Sequence, residues 1–166
     1  EESLNNGTNT PKSVKSLLNN PLFSGVYGTV GSLINTTNDY SLAVSTSLGS
    51  ATNYLVVSDH TLASRMVEYL KNKDLGRATL YPLDVIRPRY IDLDSLNKLT
   101  LCNGYINTLD KVLTYDNKFD SIIQNLFGNV ILVDNINNAN KISKVINNKY
   151  KIITLDGQVV NVGGSI

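Results

Sequence analysis

Cysteine is nearly absent: Cys102 is the only one in 166 residues. An intrachain disulfide is therefore excluded, and so is any zinc site that needs two or more thiolates. Long apolar runs are missing too. No stretch approaches the roughly 18 continuous apolar residues that would span a bilayer, and the N-terminus lacks the basic start and apolar run of a signal peptide. These absences predict a soluble chain in a reducing, cytosolic setting, with no membrane partner. Charge of one sign is scarce as well. Fifteen Lys and Arg face fourteen Asp and Glu, a net charge of +1, far from the basic excess of a dedicated nucleic-acid binder. No G-x-x-x-x-G-K-[ST] phosphate loop occurs anywhere.

What is present suffices for a core. The chain is 42% hydrophobic and 17% charged, a composition and length that suit one domain or two small subdomains. Asparagine occurs 22 times, which reads as a bias toward an AT-rich genome and says nothing about activity.

Residues 1–10 are polar and aperiodic and read as a leader. Thr10-Pro11 then starts a helix with Val14, Leu17 and Leu18 on one stripe. Residues 23–34 are Gly-punctuated and β-branched and read as a strand, with Gly28 and Gly31 as tight-packing positions. A helix capped at Asn38 or Asp39 carries Tyr40, Val44 and Leu48 and stops at Gly49. A strand over 54–57 precedes a helix capped by Ser58 or Asp59, with Ala63, Met66, Val67 and Leu70 as its apolar face. A strand over 78–81 leads into a Pro-marked crossing at 82–88.

The second half repeats this grammar: a segment over 104–109, a helix capped by Asp116 and ended by Gly128, and a strand over 130–133. A helix capped by Asn135 follows, with Ala139, Ile142, Val145 and Ile146 inward. A hairpin closes the chain, with Asp156-Gly157 as a type I′ turn between strands over 151–155 and 158–162. The spacings agree. Tyr40 precedes Gly49 by nine positions, as Phe119 precedes Gly128; Val57 precedes Ala63 by six, as Val133 precedes Ala139. Either a βα unit has been duplicated, or the order is the common grammar of α/β chains.

Three segments carry a resemblance: GVYGTV at 25–30, GRATLYPL at 76–83 and TLDGQVVNVGGS at 154–165. In order and separation they resemble the hinge domain of structural maintenance of chromosomes (SMC) proteins, over roughly residues 15–166. The family pattern is departed from at Leu80 and Tyr81, where it prefers Phe and an aliphatic residue, and at Val162. The resemblance implies a mixed α/β fold of two pseudo-repeated βα subdomains that forms a toroidal dimer. The boundaries expected are 1–20 for the leader and lead-in helix, 21–85 for subdomain I, 86–100 for a connector and 101–166 for subdomain II. It also implies a segment of a longer, nucleoid-associated protein whose ATPase lies elsewhere. The segment itself would have no catalytic role and no cofactor. Its partners would be a second copy, the coiled-coil arms of the parent and, weakly and without sequence preference, DNA.

For the dimer interface the resemblance points to Val159, Val160, Val162, Gly163 and Gly164, as a strand and glycines that extend a partner's sheet. By composition alone those glycines read as a bend. Lys71, Lys73, Arg77, Arg87 and Arg89, with Lys12, Lys15 and Lys98, are candidate DNA contacts, against the default of a solvated charged face. Arg77 reads first as a structural pin.

Other chemistry is weak. Ser58, Asp59 and His60 are adjacent and cannot make a triad, so they read as a cap. Asp92/Asp94 and Asp116/Asp120 lack a His or Cys companion and read as caps and loops. Cys102 reads as a small buried hydrophobe. Two other classes remain open: a small α/β nucleotide- or sugar-binding enzyme domain, detectable by ligand-induced thermal stabilisation, and a nucleic-acid-binding module with nanomolar, steeply salt-dependent affinity. The zinc-hook type of coiled-coil apex needs a C-x-x-C, which is absent.

Overall fold

The computed structural model describes residues 10–166 and the backbone of Glu2–Ser3. Most of the polar leader expected over 1–10 lies outside the described residues. Glu2–Ser3 (β1) pairs antiparallel with Asn35–Thr36 (β3). The lead-in helix is Lys12–Leu17 (α1), and Pro11 stands one position earlier than expected, as an extended N-cap.

Two small sheets organise the rest. The first has the order Val26–Thr29 (β2), Leu55–Val57 (β4), Leu80–Pro82 (β5); the second has the order Tyr105–Thr108 (β6), Ile131–Val133 (β7), Ile152–Thr154 (β8), Val159–Val160 (β9). Their registers coincide. β2 meets β4 at Val26↔Val57, Gly28↔Val56 and Thr29↔Leu55, and β6 meets β7 at Tyr105↔Val133, Asn107↔Leu132 and Thr108↔Ile131, with a bulge at the same step. β5 and β8 then join β4 and β7 in parallel. A shared two-against-one bulge in matching strands is a specific geometric feature, so the repetition expected from spacing extends to the backbone.

The halves meet through equivalent residues. Asn35 lies six positions after Thr29, and Thr114 six after Thr108. Their backbones exchange both hydrogen bonds, Asn35 N–H to the Thr114 carbonyl at 3.0 Å and Thr114 N–H to the Asn35 carbonyl at 2.8 Å. A reciprocal bond between equivalent positions is what a local two-fold axis produces.

Strand alternation builds the layers. On β4, Val56 faces a central core, while Leu55 and Val57 face an outer one; on β7, Leu132 and the pair Ile131/Val133 divide in the same way. The central core takes Asn38–Leu48 (α3) and Asp120–Phe127 (α6) from the two halves, with Phe119, Ile122 and Phe127 from the second meeting Val30, Ile34 and Val44 from the first. The outer cores are sealed by α1 and His60–Asn72 (α4) over the first sheet. Ile136–Val145 (α7) and Leu93–Leu99 (α5) cover the second. The segment expected as a connector over 86–100 thus contributes a helix and the buried residues Ile91 and Leu99 to a core.

Several expectations change. The strand expected over 23–34 ends at Thr29, and Val30–Leu33 makes a helical turn (α2), because the Ser32 hydroxyl donates to the Thr29 carbonyl at 2.7 Å and closes it. Gly28 sits in the bulge at φ +131°, and Gly31 lies buried in that turn and not in the strand. Val67 and Val145, expected inward, are 52% and 42% exposed. The first sheet is only three strands wide, so α4, which lies over β4 and β5, carries Val67 past its edge.

The closing turn is not type I′. Gly157 alone takes a positive φ, the Gly157 N–H donates to the Thr154 carbonyl at 3.0 Å, and Leu155-Asp156-Gly157 forms a three-residue loop. The Asp156 carboxylate is bonded to the Thr154 hydroxyl and to Gln158 Nε2, which holds Asp156 out of the left-handed region.

Candidate functional interface

The C-terminal segment leaves β9 after Val160. Val162, Gly163 and Gly164 therefore lie in a turn beyond the strand, which shortens the terminal strand expected to reach Val162. The turn closes through the Gly164 N–H to the Asn161 carbonyl at 2.8 Å and the Asn161 N–H to the Ser165 carbonyl at 2.7 Å. It is anchored on Asn148, whose carbonyl accepts the Gly163 N–H at 2.9 Å and whose side chain accepts the Ser143 hydroxyl at 2.6 Å.

Gly163 and Gly164 have φ of +89° and +95°. A Cβ on Gly163 would meet nothing within 4 Å, and one on Gly164 would make ordinary contacts with Asn148 from 3.4 Å. Neither glycine is needed for close packing within the chain. Val160 is buried in the outer core and Val159 packs on the central one, so these two offer a neighbour backbone and not side chains. Val162 and Ile166 are 65% and 77% exposed.

Among the described residues, β5 and β9 are each the last strand at one edge of a sheet. On β5, the Thr79 carbonyl and the Leu83 N–H bond to β4, so by alternation the Leu80 N–H and carbonyl point outward, whereas Pro82 has no N–H to offer. On β9, the Gln158 carbonyl faces β8 by accepting the Thr154 N–H at 2.9 Å, so the Val159 N–H and carbonyl point outward. Beside β5 runs a groove walled by Val67, Leu70, Ala78 and Leu80 with Lys71 and Arg77 at its rim.

The five candidate DNA contacts do not form one patch. Lys71 and Arg77 share that groove with Asp74, and Lys73 caps the end of α4. Arg87 and Arg89 lie in the crossing, Arg89 in a separate hollow with Lys149 and Lys151. Among the described residues none of the five takes part in a salt bridge. Arg77 joins the structure through its carbonyl, which accepts the Ser13 hydroxyl at 2.7 Å. Lys98 pairs with Asp94 at 3.2 Å, and Lys12 and Lys15 belong to α1.

Of the residues read as caps, Asp59, Asp92, Asp116 and Asn135 cap helical segments, whereas Asn38 and Asp39 lie inside α3, whose N-cap is Thr37. Asp59 accepts the Leu62 N–H at 2.8 Å, and that bond, more than the Ser58 hydroxyl, holds its carboxyl below the usual range. The His60 N–H donates to Asp84 at 2.9 Å. Asp116 accepts the Lys118 N–H at 3.1 Å, and Asp120 accepts the Tyr115 hydroxyl at 2.8 Å. Cys102 is half-buried, its thiol donating to the Lys98 carbonyl at 3.3 Å. Among the described residues no group of three or more His, Cys, Asp or Glu could hold a metal ion, and no helix is long and apolar enough to cross a membrane.

Sequence reading missed two features. Asp110 is buried, with Gln124 Nε2 donating to it at 2.9 Å and Lys111 at 3.7 Å; nothing in its neighbourhood of sequence marks it as internal. Lys149 and Lys151 were also passed over, because they reach Arg89 only through the pairing of β7 with β8.

The chain matches the family model of the SMC proteins Flexible Hinge Domain over residues 23–143. It is 34% identical over 142 residues to the chromosome partition protein Smc of Bacillus subtilis, covering 86% of this chain and 12% of that protein. To the Smc protein of Mesomycoplasma hyorhinis it is 33% identical over 156 residues, covering 93% and 16%. The chain thus spans a small part of the curated relatives it matches.

Its structure is similar to a crystal structure of an asymmetric dimer of the Geobacillus stearothermophilus SMC hinge domain. The TM-score is 0.91 at 31% identity, over 95% of this chain and 65% of that one. It is also similar to the Pyrococcus furiosus SMC hinge domain, with a TM-score of 0.78 at 26% identity over 95% and 79%. The alternative of an α/β nucleotide- or sugar-binding enzyme finds no support in these likenesses. With the repeated sheets, the terminal glycine turn and these matches together, the chain belongs to the SMC flexible hinge domain family.

Proposed function

We propose that this chain dimerises with a second copy and so joins two coiled-coil arms of a chromosome-organising ATPase whose catalytic parts lie elsewhere. The observation that carries this reading is that β5 and β9, edge strands of different sheets, both present outward backbone groups. If β5 of one protomer receives β9 and the following turn of its partner, the two-fold operation makes the same contact twice, and a ring of two protomers closes. Val159 supplies backbone, Val162 supplies exposed apolar surface, and Gly163 and Gly164 let a second chain approach. Val160 supports the strand from inside.

The module is non-catalytic in this reading and acts at the nucleoid. Its subdomains are residues 21–85 and 101–166, with 86–100 crossing between them and 1–20 leading in. Lys71, Lys73 and Arg77, with Arg87 and Arg89 elsewhere on the surface, would give weak, sequence-independent and strongly salt-sensitive contacts to DNA backbone.

Light scattering on the wild-type chain and on a Gly163→Ala/Gly164→Ala variant tests the interface. A Cβ at either site fits within one protomer, so the variant should remain folded, with a cost of roughly 1–2 kcal/mol per site from the positive φ. A wild-type dimer and a folded monomeric variant are expected. A wild-type monomer at micromolar concentration would overturn the reading, and a dimer indifferent to the change would move the contact away from the glycines.

A further inference from the structure

A cavity of about 550 Å³ opens between the crossing chain at 88–91, the turn Leu109–Val112 and one face of α6. Tyr90, Ile91 and Leu96 form an apolar wall, and Asp110, Lys111, Tyr115, Asp120 and Gln124 a polar one. The polar wall is tied together. Gln124 Nε2 donates to Asp110 Oδ2 at 2.9 Å, Lys111 Nζ lies 3.7 Å from the same oxygen, and the Tyr115 hydroxyl donates to Asp120 Oδ1 at 2.8 Å. Both partners of Asp110 line the cavity, so they hold its carboxylate in the wall. Asp110 is 4% exposed, and its other oxygen, Oδ1, accepts no hydrogen bond among the described residues. A buried carboxylate oxygen without a donor costs free energy, which a donor seated in the cavity would offset.

The fold does not require that carboxylate. Asp110 lies two positions after Thr108, as Gly31 lies two after Thr29, and both stand in the helical turn that follows the bulged strand. The same offset sets Ser41 and Ser45 against Asp120 and Gln124. Those two hydroxyls close on their own helix, at the Asn38 and Leu42 carbonyls. The first half therefore builds the same turn and helix with no charged group at these positions.

The chemistry of the walls selects the ligand. Two carboxylates against the single Lys111 ammonium leave one negative charge in excess, which suits a cation. A bare metal ion would want more oxygen ligands than two carboxylates supply. An ammonium carried on an apolar body uses both walls, its N–H groups meeting carboxylate and its body meeting Ile91, Leu96 and the Tyr90 ring. The volume falls within the roughly 300–1,000 Å³ of small-molecule sites.

We propose that this cavity binds an organic ammonium ion, with Asp110 and Asp120 as its charged ligands. Its lining belongs to neither β5 nor β9, so the site goes beyond the dimer reading and does not depend on it.

Titration of the chain with benzylammonium chloride, against benzyl alcohol at matched ionic strength and followed by amide NMR, tests the site. Saturable shifts at Thr108, Lys111 and Gln124 are expected with the ammonium and not with the alcohol. Affinity should fall roughly tenfold or more in Asp110→Asn, the loss of one charge-assisted bond. Should Asp110→Asn fold poorly in a thermal melt, Asp120→Asn, at an exposed position, reads the same loss. No saturable shift, equal shifts with the alcohol, or an affinity unchanged in the folded variants would overturn the proposal. The titration reads equally well on a monomeric chain, so this test and that of the dimer fail separately.

Discussion

Gly49 and Gly128 each follow a helix by the same distance from an aromatic residue, and the sequence treats them alike. Their physical roles differ. Gly49 has φ +52° with open space where a Cβ would stand, so it is there for its backbone. Gly128 has an ordinary φ of −66°, but a Cβ would overlap the Arg89 carbonyl oxygen and lie 2.6 Å from that of Gln124. It is there because the crossing chain packs on the end of α6, where the Arg89 N–H donates to the Gln124 carbonyl at 3.2 Å. Gly49→Ala should therefore cost roughly 1–3 kcal/mol, from the backbone alone, since φ +52° with ψ −132° is a conformation that residues with a Cβ rarely adopt. Gly128→Ala should cost roughly 2–3 kcal/mol from overpacking, read as a lower midpoint in urea with an unchanged slope. An unchanged midpoint for Gly128→Ala would show that the crossing does not bear on α6 as described.

Among the elements, α5 is the one whose capping carboxyl is most strongly lowered, so its stability is tied to pH. Asp92 caps it, accepting the Ser95 N–H at 3.0 Å and hydroxyl at 2.7 Å, the Tyr150 hydroxyl at 2.7 Å and the Lys149 ammonium at 2.9 Å. These bonds, those from Ser95 foremost, hold its carboxyl far below the ordinary value of 3.8. The folded carboxyl thus releases its proton more readily than the unfolded one. Its contribution is full above pH 3.8 and is lost as pH falls from there toward the lower folded value. Urea titrations from neutral to acid pH should give a shallower acid-side decline for Asp92→Asn than for wild type. Part of the decline will remain, because Asp59 and Asp156 are also lowered, by the Leu62 N–H and the Thr154 hydroxyl respectively. An unchanged profile would show that the cap does not bind the carboxylate preferentially. The capping of α4 and α7 by Asp59 and Asn135 was legible because a cap acts within three residues. The bonds of Asp92 to Tyr150 and Lys149 were not, since they join positions brought together only by α5 packing on the second sheet.

At the scale of the whole molecule, the two halves share the central core, where Phe119, Ile122 and Phe127 meet Val30, Ile34 and Val44. Neither half can keep that core alone, so urea unfolding followed by tyrosine fluorescence and by far-ultraviolet circular dichroism should give one coincident transition. Two separated transitions would show that the halves are stable apart. Local caps and hydrophobic period placed the helices α1, α3, α4, α6 and α7 and the strands β4, β5 and β7, matched spacings suggested the repeat, and three motif segments carried the resemblance to the family; α2 and α5 were not foreseen. What was foreseen depends on interactions a few residues long, or on a pattern written twice. The tertiary structure decided what lies between distant segments: that Val67 overhangs a narrow sheet while Val160 turns inward, that β5 and β9 are edge strands, and that Arg89 and Lys151 share one hollow. Each depends on which strands pair and which edge is left unpaired, and that is fixed by the packing of the whole chain and by no local stretch of it.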